Sequence, residues 1–330
     1  MAASITAMAD TTRGAGFRSG CLLAHCVDVR AGAHRGSRSL APAWADRTSR
    51  TARVEGPATV PAMSETTGSE MIDLVMIGGG NMGAALLGGM INSGTFAPVQ
   101  LAVVELRAER RIELAAMFPG MAVTESIPAC RSAVLAVKPQ GVADTAAAAA
   151  AAGATRLLSI AAGVGIATIE AAAGPDVAVV RCMPNTPALV GKGTSAIAGG
   201  TTADDHDLAW AESILGAVGI VDRLPEPQLD VFTGVAGSGP AYVFLVAESL
   251  IEAAVAEGID PAMAERIVTQ LLLGASTLLA QEGDPATLRK NVTSPNGTTA
   301  AGLGVLEEQG LRSIFGSAVA AATERSRELG

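Results

Sequence analysis

The stretch that most constrains this chain is "MIDLVMIGGGNMGAALLGGMINSG", residues 71–94. An apolar run of strand length enters three consecutive glycines, and a segment with helical spacing follows, ending at Asn92 to Gly94. Gly78, Gly80 and Gly83 fit the pattern G-x-G-x-x-G. Such a pattern needs a tight turn at the first glycine, close approach of a pyrophosphate at the second and close helix-to-strand packing at the third, with the helix start facing the anion. A Gly-rich turn by itself also fits a flexible loop. The strand before it, the helix after it and an acid, Glu105, at the end of the next apolar run "LAVVELRAERR" point instead to a dinucleotide site.

More apolar runs follow: "SAVLAVKP" (132–139), "RLLSIAAGV" (156–164), "VAVVRCMPNTP" (177–187) and "GTSAIAGG" (193–200). Near-continuous apolar strands separated by helical segments predict a parallel, doubly wound α/β sheet of Rossmann type, covered on both faces. Beyond "LDVFTGVAGSGPAY" the period becomes helical. Ser238 is expected to cap a helix opening with Gly239 and Pro240; Asp260-Pro261 and Asp284-Pro285 start two more. The faces of these helices are rich in Ala and Leu, too small to close a core of their own, so an all-α dimerisation domain is expected. The predicted division is residues 1–70 as a disordered extension, 71–232 as the nucleotide domain and 233–330 as the helical domain.

With 330 residues, 49% of them hydrophobic, the chain can bury two domains' worth of core. A net charge of −9 argues against a nucleic-acid partner, which needs a clustered basic surface. The four cysteines and three histidines show no metal-ligand spacing, so no metal is expected. No uninterrupted apolar run approaches the roughly 20 residues that cross a bilayer, and a cytoplasmic protein without a membrane partner is expected. The first seventy residues carry eight Arg and no Lys, with only Asp28 and Asp46 as acids between Thr11 and Arg53. That makeup fits an organelle-targeting segment, and equally an extension upstream of a true start at Met63 or Met71.

"KNVTSPNGTTAAGL", residues 290–303, packs hydroxyls and asparagines between helical segments, with no charge between Lys290 and Glu307. Ser294 is a candidate N-cap with Pro295 in the first turn, and Thr298-Thr299 opens the next helix. A helix start rich in N–H and hydroxyl groups suits a small carboxylate, and the lack of Lys or Arg suits a zwitterion. An ordinary turn between helices reads the same way from spacing alone.

The pieces "IGGGNMG", "AVKP", "SIAAGV", "RCMPNTPALVGKG", "GVAGSGPAY" and "NVTSPNGTTAAGL", in this order, resemble pyrroline-5-carboxylate reductases over about residues 71–328. The resemblance implies reduction of (S)-1-pyrroline-5-carboxylate to L-proline with NADPH or NADH, in a homodimer that can assemble into a decamer of five dimers. It implies that Ser294, Thr298 and Thr299 hold the substrate, with Thr299 hydrogen-bonding the ring nitrogen, Ser294 the carboxylate, and Glu282 lining the pocket. On the cofactor side it implies Ile77, Gly78, Gly79, Gly80, Asn81, Met82 and Gly83 around the pyrophosphate. Ala136, Val137, Lys138, Pro139, Ile160, Ala161 and Ala162 would border adenosine and nicotinamide, and Asn291 would reach the cofactor from the helical domain. Cys182 and Tyr242 are expected to be packing residues.

Glu105 stands where many relatives accept a 2′-phosphate. An acid there favours the ribose of NAD, while Arg107, Arg110 and Arg111 can offset it, so the sequence leaves the preference open. Two rival functions remain at this stage. A hydroxyacid dehydrogenase of the 6-phosphogluconate type needs a Lys base that "GSGPAYVFLVAESLIEAAVAEG" lacks. A non-enzymatic NAD(P) sensor would use the second domain only to dimerise.

Overall fold

The computed structural model describes residues 71–329; the expected disordered extension over residues 1–70 lies outside them. In chain order the elements are β1 (Ile72–Ile77), α1 (Asn81–Ser93), β2 (Leu101–Val104), α2 (Ala108–Met117), β3 (Ala122–Thr124), β4 (Cys130–Leu135) and α3 (Val142–Ala151). There follow β5 (Arg156–Ser159), α4 (Ile166–Ala173), β6 (Ala178–Met183), β7 (Gly193–Gly199), α5 (Asp205–Leu215) and β8 (Gly219–Arg223). The remainder is helical: α6 (Gln228–Phe232), a π turn (Thr233–Gly237), α7 (Gly239–Ala256), α8 (Pro261–Glu282), α9 (Pro285–Asn291), α10 (Thr298–Glu308) and α11 (Leu311–Leu329).

Among the described residues the strands form one sheet in the order β3-β2-β1-β4-β5-β6-β7-β8. Alternation along β1 shows why it needs cover on both faces. Leu74 and Met76 join a core with Leu86, Leu87 and Met90 of α1, while Val75 and Ile77 join another with Val142, Ala146 and Ala149 of α3. The Ala-rich composition of α3 favours helix and lets it lie close to the sheet.

The all-parallel expectation is corrected at β7, which pairs antiparallel with β6. The connection over residues 184–192 is shorter than the crossover of about a dozen residues that a parallel return needs. β8 then pairs parallel with β7. Neither β3 nor β8 was expected; β3 has only three residues, and β8, "GIVDR", has a short apolar run and stands mostly open at the sheet edge.

A second correction falls on Ser238, which makes no side-chain cap bond. Residues Gln228–Ala256 form one continuous helical run, because the π turn carries the chain from α6 into α7 and the Ser238 N–H donates back to the carbonyl of Thr233 at 2.8 Å. Asp260 and Asp284 do cap: their carboxylates accept from the N–H groups of Met263 (3.1 Å) and Ala286 (3.0 Å).

A polar seam ties the sheet to the last helix. Arg181 on β6 is buried, with Nη1 3.0 Å from Glu226 Oε1 and Nη2 3.9 Å from Asp230 Oδ1. The Ser326 hydroxyl of α11 donates to Asp230 Oδ1 at 2.7 Å, and Thr323 of α11 lies buried nearby against Gly234.

Candidate functional site

The sheet order reverses between β1 and β4, and in open α/β sheets that switch point opens a crevice at the carboxyl ends of the strands. Here Gly78 follows β1 with φ +113°, and a Cβ on it would strike the carbonyl oxygen of Ala136, which follows β4. A Cβ on Gly83 would strike the Gly78 carbonyl. These two glycines are therefore compelled by the chain itself. Gly80 is not: a Cβ there would meet nothing within 4 Å. The middle glycine leaves room for something outside the chain, which is what a pyrophosphate requires. No side chain caps α1 and no acid lies in its first turn, so its leading N–H groups and dipole favour an anion. The residues present thus fit a dinucleotide.

Backbone bonds assemble the rest of this rim. The N–H of Gly78 donates to the Val104 carbonyl (2.9 Å), Ala136 to Ile77 (2.8 Å) and Ile160 to Leu135 (3.1 Å). Ile77, Gly78, Gly79, Gly80, Ala136 and Ile160 therefore stand at the ends of adjoining strands, with Val137, Lys138 and Pro139 leading on from Ala136 and Ala161 and Ala162 from Ile160. Asn81 and Lys138 are exposed. The side chain of Met82 packs partly against the core, so its backbone alone is free to serve the cradle.

Glu105 follows β2 directly. Its side chain is 10% exposed and accepts from the Arg107 N–H (3.0 Å) and from Arg107 Nε (3.3 Å). Burial alone would raise its carboxyl pKa, but the bonds from Arg107 and from the Gly79 N–H outweigh that and hold it below the ordinary carboxylate range. Cys182 is buried beside Ser195 and its thiol is pushed far up by burial, so it is a packing residue. Tyr242 spends its hydroxyl on the Gly234 carbonyl at 3.2 Å.

The hydroxyl-rich loop differs from its expected geometry in one respect. Ser294 is not the N-cap of α10; Gly297 is. Pro295 and Asn296 form a turn closed by the Gly297 N–H to the Ser294 carbonyl (3.1 Å), with Asn296 at φ 60°, and this turn delays the helix past Ser294. A Cβ on Gly297 would meet Ser294 Oγ, so a side chain there would turn that hydroxyl aside. The helix start therefore has no side-chain cap, and among the described residues no hydrogen bond occupies the hydroxyls of Ser294, Thr298 or Thr299. Glu282 ends α8 and Asn291 ends α9, both exposed. No hydrogen bond or ion pair among the described residues joins Glu282 or Asn291 to this loop, or this loop to the Gly-rich cradle.

Arg181 and Asn185 were not singled out as site residues in the sequence, although "RCMPNTP" was. Asn185 Nδ2 donates to the Ala236 carbonyl in the π turn (3.1 Å) and its Oδ1 accepts from the Thr194 N–H (2.9 Å), so it stands between β6, β7 and the helical run. An arginine within the otherwise apolar "VAVVRCM" was the available signal.

A Gly-rich cradle at the switch point of a doubly wound sheet, followed in the chain by helices with an uncapped, hydroxyl-lined helix start, marks a dinucleotide-binding protein. Comparison with known proteins narrows this. The family model described as pyrroline-5-carboxylate reductase dimerisation matches residues 226–329, and one described as NADP oxidoreductase, coenzyme F420-dependent, matches residues 73–163. The pyrroline-5-carboxylate reductase of Synechocystis sp. is 43% identical over 265 residues, covering 78% of this chain and 98% of that protein. That of Corynebacterium melassecola is 37% identical, covering 79% and 99%. The solved structure of the enzyme from Coxiella burnetii superposes with a TM-score of 0.74 at 33% identity, covering 79% of this chain and 99% of that one. That of the Plasmodium falciparum pyrroline carboxylate reductase with NADP bound gives 0.68 at 30%, covering 80% and 100%. The chain belongs to the pyrroline-5-carboxylate reductase family.

Proposed function

We propose that this protein reduces (S)-1-pyrroline-5-carboxylate to L-proline with NADPH or NADH, the last step of proline biosynthesis. The observation that carries this is the near-complete coverage of a reductase 43% identical, beside family models that span the cradle and the hydroxyl loop. Neither rival is favoured: α7 holds no Lys for a hydroxyacid dehydrogenase, and a sensor has no need of the loop.

When bound, the reduced nicotinamide supplies a hydride to the imine carbon. The chain's own task is to hold the ring in place and keep water away, since a protonated imine is already electrophilic. Thr299 holds the ring nitrogen through its hydroxyl and keeps the proton there. Ser294, Thr298 and the first N–H groups of α10 hold the substrate carboxylate, with Glu282 near the opposite, cationic end of the zwitterion. No strong acid or base is needed. Gly78 to Gly83 receive the pyrophosphate, and Asn291 closes on the cofactor.

The cradle and the loop are not bonded to each other within one chain, and α7, α9 and α10 bury no residue. Both facts support a homodimer through the helical region, consistent with a family model named for dimerisation; a decamer of five dimers is the further assembly we expect. The run Gln228–Ala256 is long and apolar enough to cross a membrane by length and composition. Its Asp230 is tied into the Arg181 seam and Glu248 and Glu252 interrupt it, so a partner helix is the better match. We take residues 71–232 as the cofactor domain and 233–330 as the substrate and dimer domain; fully buried Leu229 supports keeping α6 with the sheet. A cytoplasmic setting suits the unpaired thiols of Cys130 and Cys182.

The purified chain, mixed with pyrroline-5-carboxylate and NADH or NADPH, should oxidise the nucleotide and form proline in equal amounts. No proline from either mixture would end this reading.

A further inference from the structure

The structure bears on the question the sequence left open, which of the two nucleotides the cradle prefers. Three arginines follow Glu105, and a 2′-phosphate needs a free guanidinium among them. Arg110 is not free: its Nε donates to the Gly79 carbonyl at 2.8 Å and its Nη1 meets Glu113 at 2.6 Å, with only 16% of the side chain exposed. It props the Gly-rich loop from beneath. Arg111 is not free either. Its Nη1 donates to the carbonyls of Glu105 (3.0 Å) and Leu106 (2.8 Å), and its Nη2 lies 3.3 Å from Glu125. Arg107 remains, and its Nε is held by Glu105 itself.

Position decides which charge of the Glu105–Arg107 pair a nucleotide feels more. The carboxylate is 10% exposed and abuts Gly79, whereas the Arg107 side chain is 67% exposed. A charge at the protein surface acts through an effective dielectric of about 20 and one in open water through about 80, so the sheltered carboxylate acts up to about four times more strongly at equal distance. The carboxylate also has capacity to spare. It offers about four lone-pair sites, and the Arg107 N–H and Nε take two, both on Oε1. A ribose 2′-hydroxyl can donate into one of those left; a 2′-phosphate has little proton to donate at neutral pH and brings more than one negative charge.

We propose that Glu105 makes this protein selective for NADH over NADPH, with Arg110 and Arg111 serving as supports of the loop rather than as phosphate receptors. The proposal rests on the reductase reading but is decided separately, by binding. The dissociation constants of NADH and NADPH are measured from nicotinamide fluorescence on the full chain, beside kcat/KM for each. Wild type should bind NADH about tenfold more tightly than NADPH or better. Glu105→Gln, which keeps an oxygen for the Arg107 N–H and so protects the fold, should tighten NADPH by about tenfold and weaken NADH. Glu105→Gln combined with Arg107→Ala should lose that gain, because the released guanidinium supplies it. Equal or tighter binding of NADPH by wild type, or no gain in Glu105→Gln, overturns the proposal while leaving the reductase assignment standing. Failure to bind either nucleotide overturns both.

Discussion

In β1, Leu74, Val75 and Met76 keep none of their surface exposed, whereas in α7 Val243, Phe244 and Leu245 keep 50%, 62% and 61%. Hydropathy does not separate these triplets; what differs is whether the chain supplies a layer on each side. The sheet receives α1 and α5 on one face and α3 and α4 on the other. In the helical region α7 packs on α8, α9 on the end of α8, and α10 on α11, with no second layer over their outer faces. An apolar face that its own chain leaves uncovered is a specification for another molecule, because monomers seldom leave patches beyond a few hundred Å² wet.

Charging the open face of the helices should have the largest effect. Ile267, Leu271 and Leu278 share one stripe of α8 and are 48%, 52% and 44% exposed. Leu271→Glu with Leu278→Glu should weaken self-association by about a hundredfold or more and abolish turnover, while nucleotide affinity of the sheet stays within about threefold. Sedimentation beside nucleotide titration checks this, and a fully active monomer would refute it. Next in size is the seam. Arg181→Met leaves Glu226 and Asp230 without their cation, and since Glu226 is 34% exposed, we expect the low end of a broken buried pair, about 2–3 kcal/mol in urea melts.

Within the sheet half, the glycines divide by what a Cβ would meet. Gly78→Ala combines a positive φ with a clash into backbone and should cost about 2–3 kcal/mol of stability. Gly80→Ala meets nothing, so stability should stay within about 0.5 kcal/mol while nucleotide affinity falls. Equal effects from both substitutions would mean that Gly80 serves the fold and not a ligand. Thr299→Ala removes from the helical half a half-buried hydroxyl that makes no hydrogen bond among the described residues. It should lower kcat/KM about ten- to a hundredfold with an unchanged melt, and Ser294→Ala should raise KM more than it lowers kcat. A lower melt with unaltered kinetics would make the loop a turn and nothing more.

Legibility in the sequence followed the same division. The strands within 132–139, 156–164, 177–187 and 193–200 announced themselves because both of their faces are largely buried and their apolar runs are near-continuous. Asp260 and Asp284 announced helix starts because an acid before Pro has one common use. What failed was set by distant parts of the chain. Ser238 has the look of a cap, yet the π turn continues the helix through it. Ser294 has the same look, yet Asn296 at φ 60° moves the start to Gly297. The direction of β7 depended on the length of a connection, and the partners of Arg181 lie far along the chain. The glycines of the cradle were legible in type; that two of them answer to the fold and one to open space needed coordinates.

The Arg181 seam also sets a clock. Ser326 follows Asp230 by 96 residues, so on a ribosome adding about 5–20 residues each second the hydroxyl emerges some 5–20 s after the carboxylate that awaits it. By then Leu229 has emerged and the sheet has every strand it needs to close. The helical run is already held to that body by Asn185 at the Ala236 carbonyl, and α11 adds the last tie, through Ser326 to Asp230. The Arg181 seam is therefore complete only when synthesis of the chain is nearly over, and until then Asp230 lacks the hydroxyl that α11 brings.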